Sequence, residues 1–158
     1  MPDGAPHLLI AYDGSDPATE AIAVAARLFG RGTRATVLYA WELMDAMPVA
    51  DGEARDEARA ERLAEQGARQ ARALGLAAEA RAESGMSSPW RAIVDAAERD
   101  GADLIVMGTR GLDGMRSLLL GSCTRHVAQH ALSPVLIVPD PEISGARRAA
   151  RANGRAQQ

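Results

Sequence analysis

The chain has 158 residues and a formal net charge of −3, with 47% hydrophobic and 25% charged residues, the balance of one globular domain rather than a disordered chain. All 18 cationic residues are arginine, which excludes a Walker A phosphate loop and lysine Schiff-base chemistry. One cysteine, Cys123, and three scattered histidines leave no intrachain disulfide and no ligand set for structural zinc, and they point to a reducing, cytoplasmic setting.

Residues 1–6 lack the basic start and apolar stretch of a signal peptide and read as an N-terminal tail. His7 to Tyr12 is a short apolar run, a buried strand that ends at Asp13-Gly14-Ser15-Asp16-Pro17. Ser15 or Asp16 can cap a helix there, with Pro17 just inside its start. Ile22, Ala25, Leu28 and Phe29 supply that helix with an apolar face, and Gly30 and Gly32 close it. Ala35 to Trp41 is the second strand; Leu43 to Gly52 has no period and reads as a loop. From Glu53 to Leu74 the chain is a charged surface helix with a narrow stripe through Ala64, Ala68 and Ala71.

Leu76, Ala78, Ala80 and Ala82 alternate with charged residues, the pattern of a half-exposed strand at a sheet edge. Ser88-Pro89 opens a third helix that turns Ile93, Ala96 and Ala97 inward, and Leu104 to Met107 is a continuous apolar strand. Ser122 to Leu132 reads as a fourth helix and Val135 to Val138 as a fifth strand between two prolines. The expected fold is α/β: one doubly wound, Rossmann-like domain over residues 7–140, with a five-stranded parallel sheet in the order 3-2-1-4-5 and four helices. Residues 141–158 are expected to form a flexible, Arg-rich C-terminal tail. The stretch from Gly145 to Gln158 carries +4 of a total −3, so the rest of the chain carries −7, a poor match for nucleic acid. No apolar run reaches the roughly 18–20 residues that span a bilayer, so no membrane partner is expected.

In open α/β sheets ligands bind beyond the carboxyl ends of strands, where the strand order reverses. The first strand ends in Asp13-Gly14-Ser15 and the fourth runs into Gly108-Thr109-Arg110-Gly111. The segment from Gly108 to Cys123 contains Gly-x2-Gly-x9-Gly-Ser at Gly108, Gly111, Gly121 and Ser122. Glycines at a strand exit let backbone amides approach an anion. Gly121-Ser122 stands where the fourth helix begins, so free N–H groups and the helix dipole would face a phosphate. A glycine-rich turn also occurs in domains without a ligand, but a loop this long and this apolar, with Leu112, Met115, Leu118, Leu119 and Leu120, is more than a linker.

Tyr12-Asp13-Gly14-Ser15, the GTRG…LLLGS segment and Ser133 to Pro139 together resemble the universal stress protein family, over His7 to Pro139. The glycine pattern is similar to that of the family's ATP-binding branch. The resemblance implies an adenine-nucleotide-binding, stress-response regulatory protein that holds ATP with Mg²⁺, with AMP or cyclic AMP as alternatives. It implies contacts from Ala11, Tyr12 and Asp13 at the first strand exit, with Asp13 meeting ribose or a metal-phosphate group. Ala40 would contact adenine through its backbone; Gly108, Gly111, Gly121 and Ser122 would hold the phosphates, with Met107 a further nucleotide contact and Thr109, Arg110 and Cys123 as neighbours. It also implies a homodimer through Val135–Val138, whose bare apolar edge fits that role.

Other readings stay open for single residues. Asp13 can order its own turn, Arg110 and Arg116 can be solvated, and Cys123 can be a small core filler or a low-pKa thiol at a helix start. Trp41 borders the base or covers a core edge, and His126 and His130 lie four apart without a third metal ligand in sight. No catalytic residue is assigned. Efficient phosphoryl transfer needs metal, charge clamp and positioned nucleophile together, so at most slow ATP hydrolysis is expected. An adenylyl-transferring relative would need a longer loop after the first strand, and a phospho-receiver domain would need a lysine.

Overall fold

The structure, a computed structural model, describes residues 5–42, 52–85, 88–110 and 120–155. Strands and helices alternate as β1 (His7–Ala11), α1 (Asp16–Phe29), β2 (Arg34–Glu42), α2 (Gly52–Ala73), β3 (Ala77–Gly85), α3 (Pro89–Asp100), β4 (Leu104–Gly108), α4 (Ser122–His130), β5 (Val135–Val138) and α5 (Pro141–Arg155). The five strands form one parallel sheet in the order β3-β2-β1-β4-β5, the expected order. Consecutive side chains of a strand face opposite ways, and β1 shows why both faces must be covered. Leu8 and Ile10 enter a core layer with Ala21, Ile22 and Ala25 of α1 and Ala68 and Ala71 of α2. Leu9 enters the opposite layer with Ile93, Ala96 and Ala97 of α3 and Val127 of α4. The chain therefore changes face after β3, and the reversal falls between β1 and β4.

Local chemistry sets the helix boundaries. Ser15 is the N-cap of α1, its Oγ accepting the Ala18 amide at 3.3 Å, with Pro17 in the first turn. Gly101 ends α3 in the left-handed conformation at φ 60°. Ser88 precedes α3 in extended backbone, but its side chain makes no cap bond. The alanine stripe of α2 is fully buried, and Gly67 lies on the same face. A Cβ there would stand 2.6 Å from the Tyr12 ring and 2.8 Å from Val37, so the missing side chain is what lets the helix close over Tyr12.

Three expectations need correction. The described residues form five helices, the fifth made by Pro141–Arg155 within the stretch expected as tail. It begins at a capping Asp140 and is rich in Ala and Arg, both strong helix formers, but its apolar positions, Ile143, Ala146 and Ala150, are few and stand among Gly145, Gly154 and four arginines, so the stretch reads as tail. Leu28 is 60% exposed, because Phe29 takes the inward place at that turn of α1. α4 ends at His130, and Leu132 beyond it is 82% exposed. Of the expected loop from Leu43 to Gly52, residues 43–51 lie outside the described residues, and Gly52 opens α2.

The two sheet edges differ. β3 is bordered by charge, with Arg81 paired to Asp100 and Arg99 to Glu83, and such residues discourage strand addition. β5 is hydrogen-bonded on one side by β4 and shows half-buried Val135, Leu136 and Ile137. Gly67→Ala is expected to destabilise the fold by about 1–3 kcal/mol through overpacking, measured by urea unfolding. Gly145→Ala in α5 meets nothing within 4 Å, and unfolding should be unchanged or slightly later.

Candidate functional site

The ends of β1, β2 and β4 open into a cleft of about 650 Å³. At the β1 exit Gly14 takes a left-handed φ of 85°, and Asp13 Oδ1 accepts the Ser15 amide at 3.0 Å. Asp13 thus orders its own turn while also lining the cleft. Tyr12 borders the cleft, but its ring is buried against α2, where Gln70 Nε2 donates to its hydroxyl at 3.4 Å.

The β4 exit is tied down more heavily. Thr124 Oγ1 donates to the Gly108 carbonyl at 3.0 Å, and the Gly121 amide to the Thr109 carbonyl at 2.8 Å. These bonds set the start of α4 against the end of β4. Gly121 is its N-cap, and among the described residues no side-chain cap bond is made. Gly121, Ser122, Cys123 and Thr124 all line the cleft, so the first-turn amides and the positive end of the helix dipole face it. That is the arrangement that binds anions.

The cleft also has apolar lining, from Leu38 and Ala40 of β2, Ile93 of α3, Met107 of β4 and the half-buried Trp41. Charge comes from Asp13, Glu42, Asp56, Arg59 and Arg110. Arg110 Nη2 pairs with Asp140 Oδ2 at 2.6 Å, both side chains nearly buried.

Ala11, Tyr12, Asp13, Ala40, Met107, Gly108, Arg110, Gly121, Ser122 and Cys123 are brought together around one cavity. Thr109 is not on its wall. Its amide donates to the Val138 carbonyl at 3.0 Å and its Oγ1 accepts the Asp140 amide at 3.2 Å, so it is a structural tie. Gly111 and Arg116 lie outside the described residues. Gly108 has a steric role: a Cβ would sit 2.7 Å from Pro17 Cβ and 2.8 Å from its carbonyl carbon. Asp56, Arg59 and Ala60 of α2 also line the cleft and were not legible as site residues. Ala60 continues the stripe of Ala64, Ala68 and Ala71 by one turn, but nothing in sequence says which end of a surface helix overhangs a cavity. His126 and His130 stack on Trp90, with ring centroids 5.4 and 4.8 Å away. Among the described residues no group of three His, Cys, Asp or Glu is placed to hold a metal ion.

A parallel sheet in this order, with the start of α4 and a cleft at its reversal point, defines a doubly wound α/β domain. The profile of the Universal stress protein family matches residues 5–139. The universal stress protein in the QAH/OAS sulfhydrylase 3′ region of Thermus aquaticus is 42% identical over 137 residues, covering 83% of this chain and 96% of its own. The chain belongs to the universal stress protein family. Solved structures agree in fold: the hypothetical protein MJ0577 superposes with TM-score 0.69 at 24% identity, over 85% of this chain and 96% of its own. A universal stress protein in complex with cAMP does so with TM-score 0.64 at 25% identity, over 87% and 99%. No helix among the described residues is long and apolar enough to cross a membrane.

Burial, and after it the Asp13 carboxylate, push the Cys123 thiol up to about 11. It is therefore an inert filler rather than an activated nucleophile, since the thiolate is the reactive form. Unfolded, a thiol ionises near about 8.5. Stability should be unaffected by this group below that pH and fall as pH rises from there towards 11. Native protein should resist iodoacetamide at pH 8, with the alkylation rate climbing to a midpoint near 11, and Cys123→Ser should abolish the alkaline loss.

Proposed function

We propose that this protein binds an adenine nucleotide, ATP with Mg²⁺, in the cleft between β1 and β4, and acts in the cytoplasm as a regulatory member of its family. The observation that carries this reading is the N-terminus of α4, without a side-chain cap bond, at a cleft that also has apolar lining from β2 and α3. The α4 amides would take the phosphates, and Leu38, Ala40 and Ile93 suit the base. Asp13 and Asp56, both lining the cleft, are the hard oxygen donors that a phosphate-bound Mg²⁺ uses. A lysine-free chain with a protonated Cys123 lacks the parts of a fast phosphoryl-transfer site, so hydrolysis, if measured, should be slow. Cyclic AMP is the second reading, favoured by the relative solved in complex with cAMP.

A homodimer through β5 fits the same reading. A second copy would pair the open side of the edge strand and cover Ile137. Ile137→Lys is expected to give a folded monomer in sedimentation velocity where the unaltered chain sediments as a dimer.

The nucleotide reading is tested by calorimetric titration with ATP-Mg²⁺ and with cyclic AMP, beside Gly121→Asp. A carboxylate at the N-cap takes the first-turn amides for itself and repels phosphate. ATP affinity should fall by more than about tenfold while thermal stability holds or rises. Unchanged affinity in that variant would remove α4 from the site.

A further inference from the structure

Asp140 is the residue immediately beyond the stretch that matches the family, and it is bonded in four directions. Its Oδ2 takes Nη2 of Arg110 at 2.6 Å, with the two side chains 12% and 13% exposed. Its Oδ1 accepts the Glu142 amide at 2.9 Å, and its carbonyl accepts the Ser144 amide at 2.9 Å and the Ser144 hydroxyl at 2.7 Å. Its own amide donates to Thr109 Oγ1 at 3.2 Å, and the Thr109 carbonyl takes the amide of Gly121, the α4 cap. One residue thus ties three parts together: its side chain begins α5 and grips the arginine on the cleft wall, while its backbone amide anchors the exit of β4.

We propose that Asp140 is a positioning residue for phosphate recognition, acting through Arg110. This rests on the nucleotide reading above. Arginine has a long side chain whose orientation costs rotamer entropy at the moment of binding, unless the folded protein has already met that cost. The Asp140 carboxylate holds the guanidinium at the cleft, so an arriving phosphate finds it in place. A nearby carboxylate also lowers the local positive potential, which opposes phosphate binding. Orientation prevails because a nearly buried guanidinium deprived of its carboxylate turns to water or to other acceptors and leaves the wall. The start of α5, outside the family's common domain, thereby tunes the charged end of the ligand and leaves the base end untouched.

Asp140→Asn is nearly isosteric and keeps the backbone bonds to Thr109 and Ser144. Unaltered protein, Asp140→Asn, Arg110→Gln and the double variant are titrated with ATP-Mg²⁺ and with adenosine. Asp140→Asn is expected to weaken ATP about five- to tenfold and leave adenosine within about twofold. The double variant should lose no more than Arg110→Gln alone, as two residues acting as one unit do. Equal loss of ATP and adenosine would mean a merely structural role and overturn the proposal. ATP bound as tightly as before, or more tightly, or additive losses in the double variant, would overturn it too. An unaltered protein that binds neither ligand overturns the nucleotide reading and this proposal together, whereas normal binding with an indifferent Asp140→Asn overturns this proposal alone.

Discussion

The missing Cβ at Gly108 sets how closely the end of β4 can approach the start of α1. The added atom would collide with both the Pro17 ring and its backbone, and backbone cannot step aside as a flexible side chain can. Leu8, Leu9 and Ile10 are locked in register with Leu104, Ile105 and Val106, so β4 cannot retreat without breaking the central pairing of the sheet. Either shift would widen the gap at which the strand order reverses. The cleft inherits its dimensions from that contact, and the ties through Thr109, Thr124 and Gly121 are built on it.

The charge pattern follows from what the backbone already supplies. Uncapped amides at α4 are fixed donors that need no side-chain cation, which suits a chain with no lysine. Arg110 is held in a nearly buried pair, so its role depends on geometry as much as on charge. Asp13 orders its turn, lines the cleft and raises the Cys123 thiol. One carboxylate thereby joins the local turn, the cavity and an alkaline limit on stability.

Small residues make the rest possible. With aromatics at 3%, the layer over β1 and β2 closes through Ala64, Ala68 and Ala71, fully or nearly fully buried, and through Gly67 over the Tyr12 ring. A helix that approaches so closely carries Asp56 and Arg59 over the cleft mouth. The same economy leaves the two sheet edges to different devices, a network of arginines and carboxylates at β3 and a short apolar strand at β5.

The sheet was legible because strands buried on both faces must be continuously apolar, as Leu8–Ile10, Leu104–Met107 and Val135–Val138 are. Asp13, Gly121 and Ser122 could be singled out because turn and cap chemistry is local in the chain. The alanine stripe of α2 was equally visible, since helical period is a local property. α5 was not, because its few apolar positions are set among glycines and arginines that read as a solvated tail. Nor were Asp56, Arg59, the Gly108–Pro17 contact or the bond between Arg110 and Asp140. Each depends on the distance between elements far apart in sequence. The sequence by itself determined the five strands, the first four helices and which strand exits carry polar and glycine chemistry. Only the tertiary structure decided which glycines are steric, that Thr109 ties β4 to β5 and Asp140, and which carboxylate holds Arg110, because packing distances arise only when the layers meet.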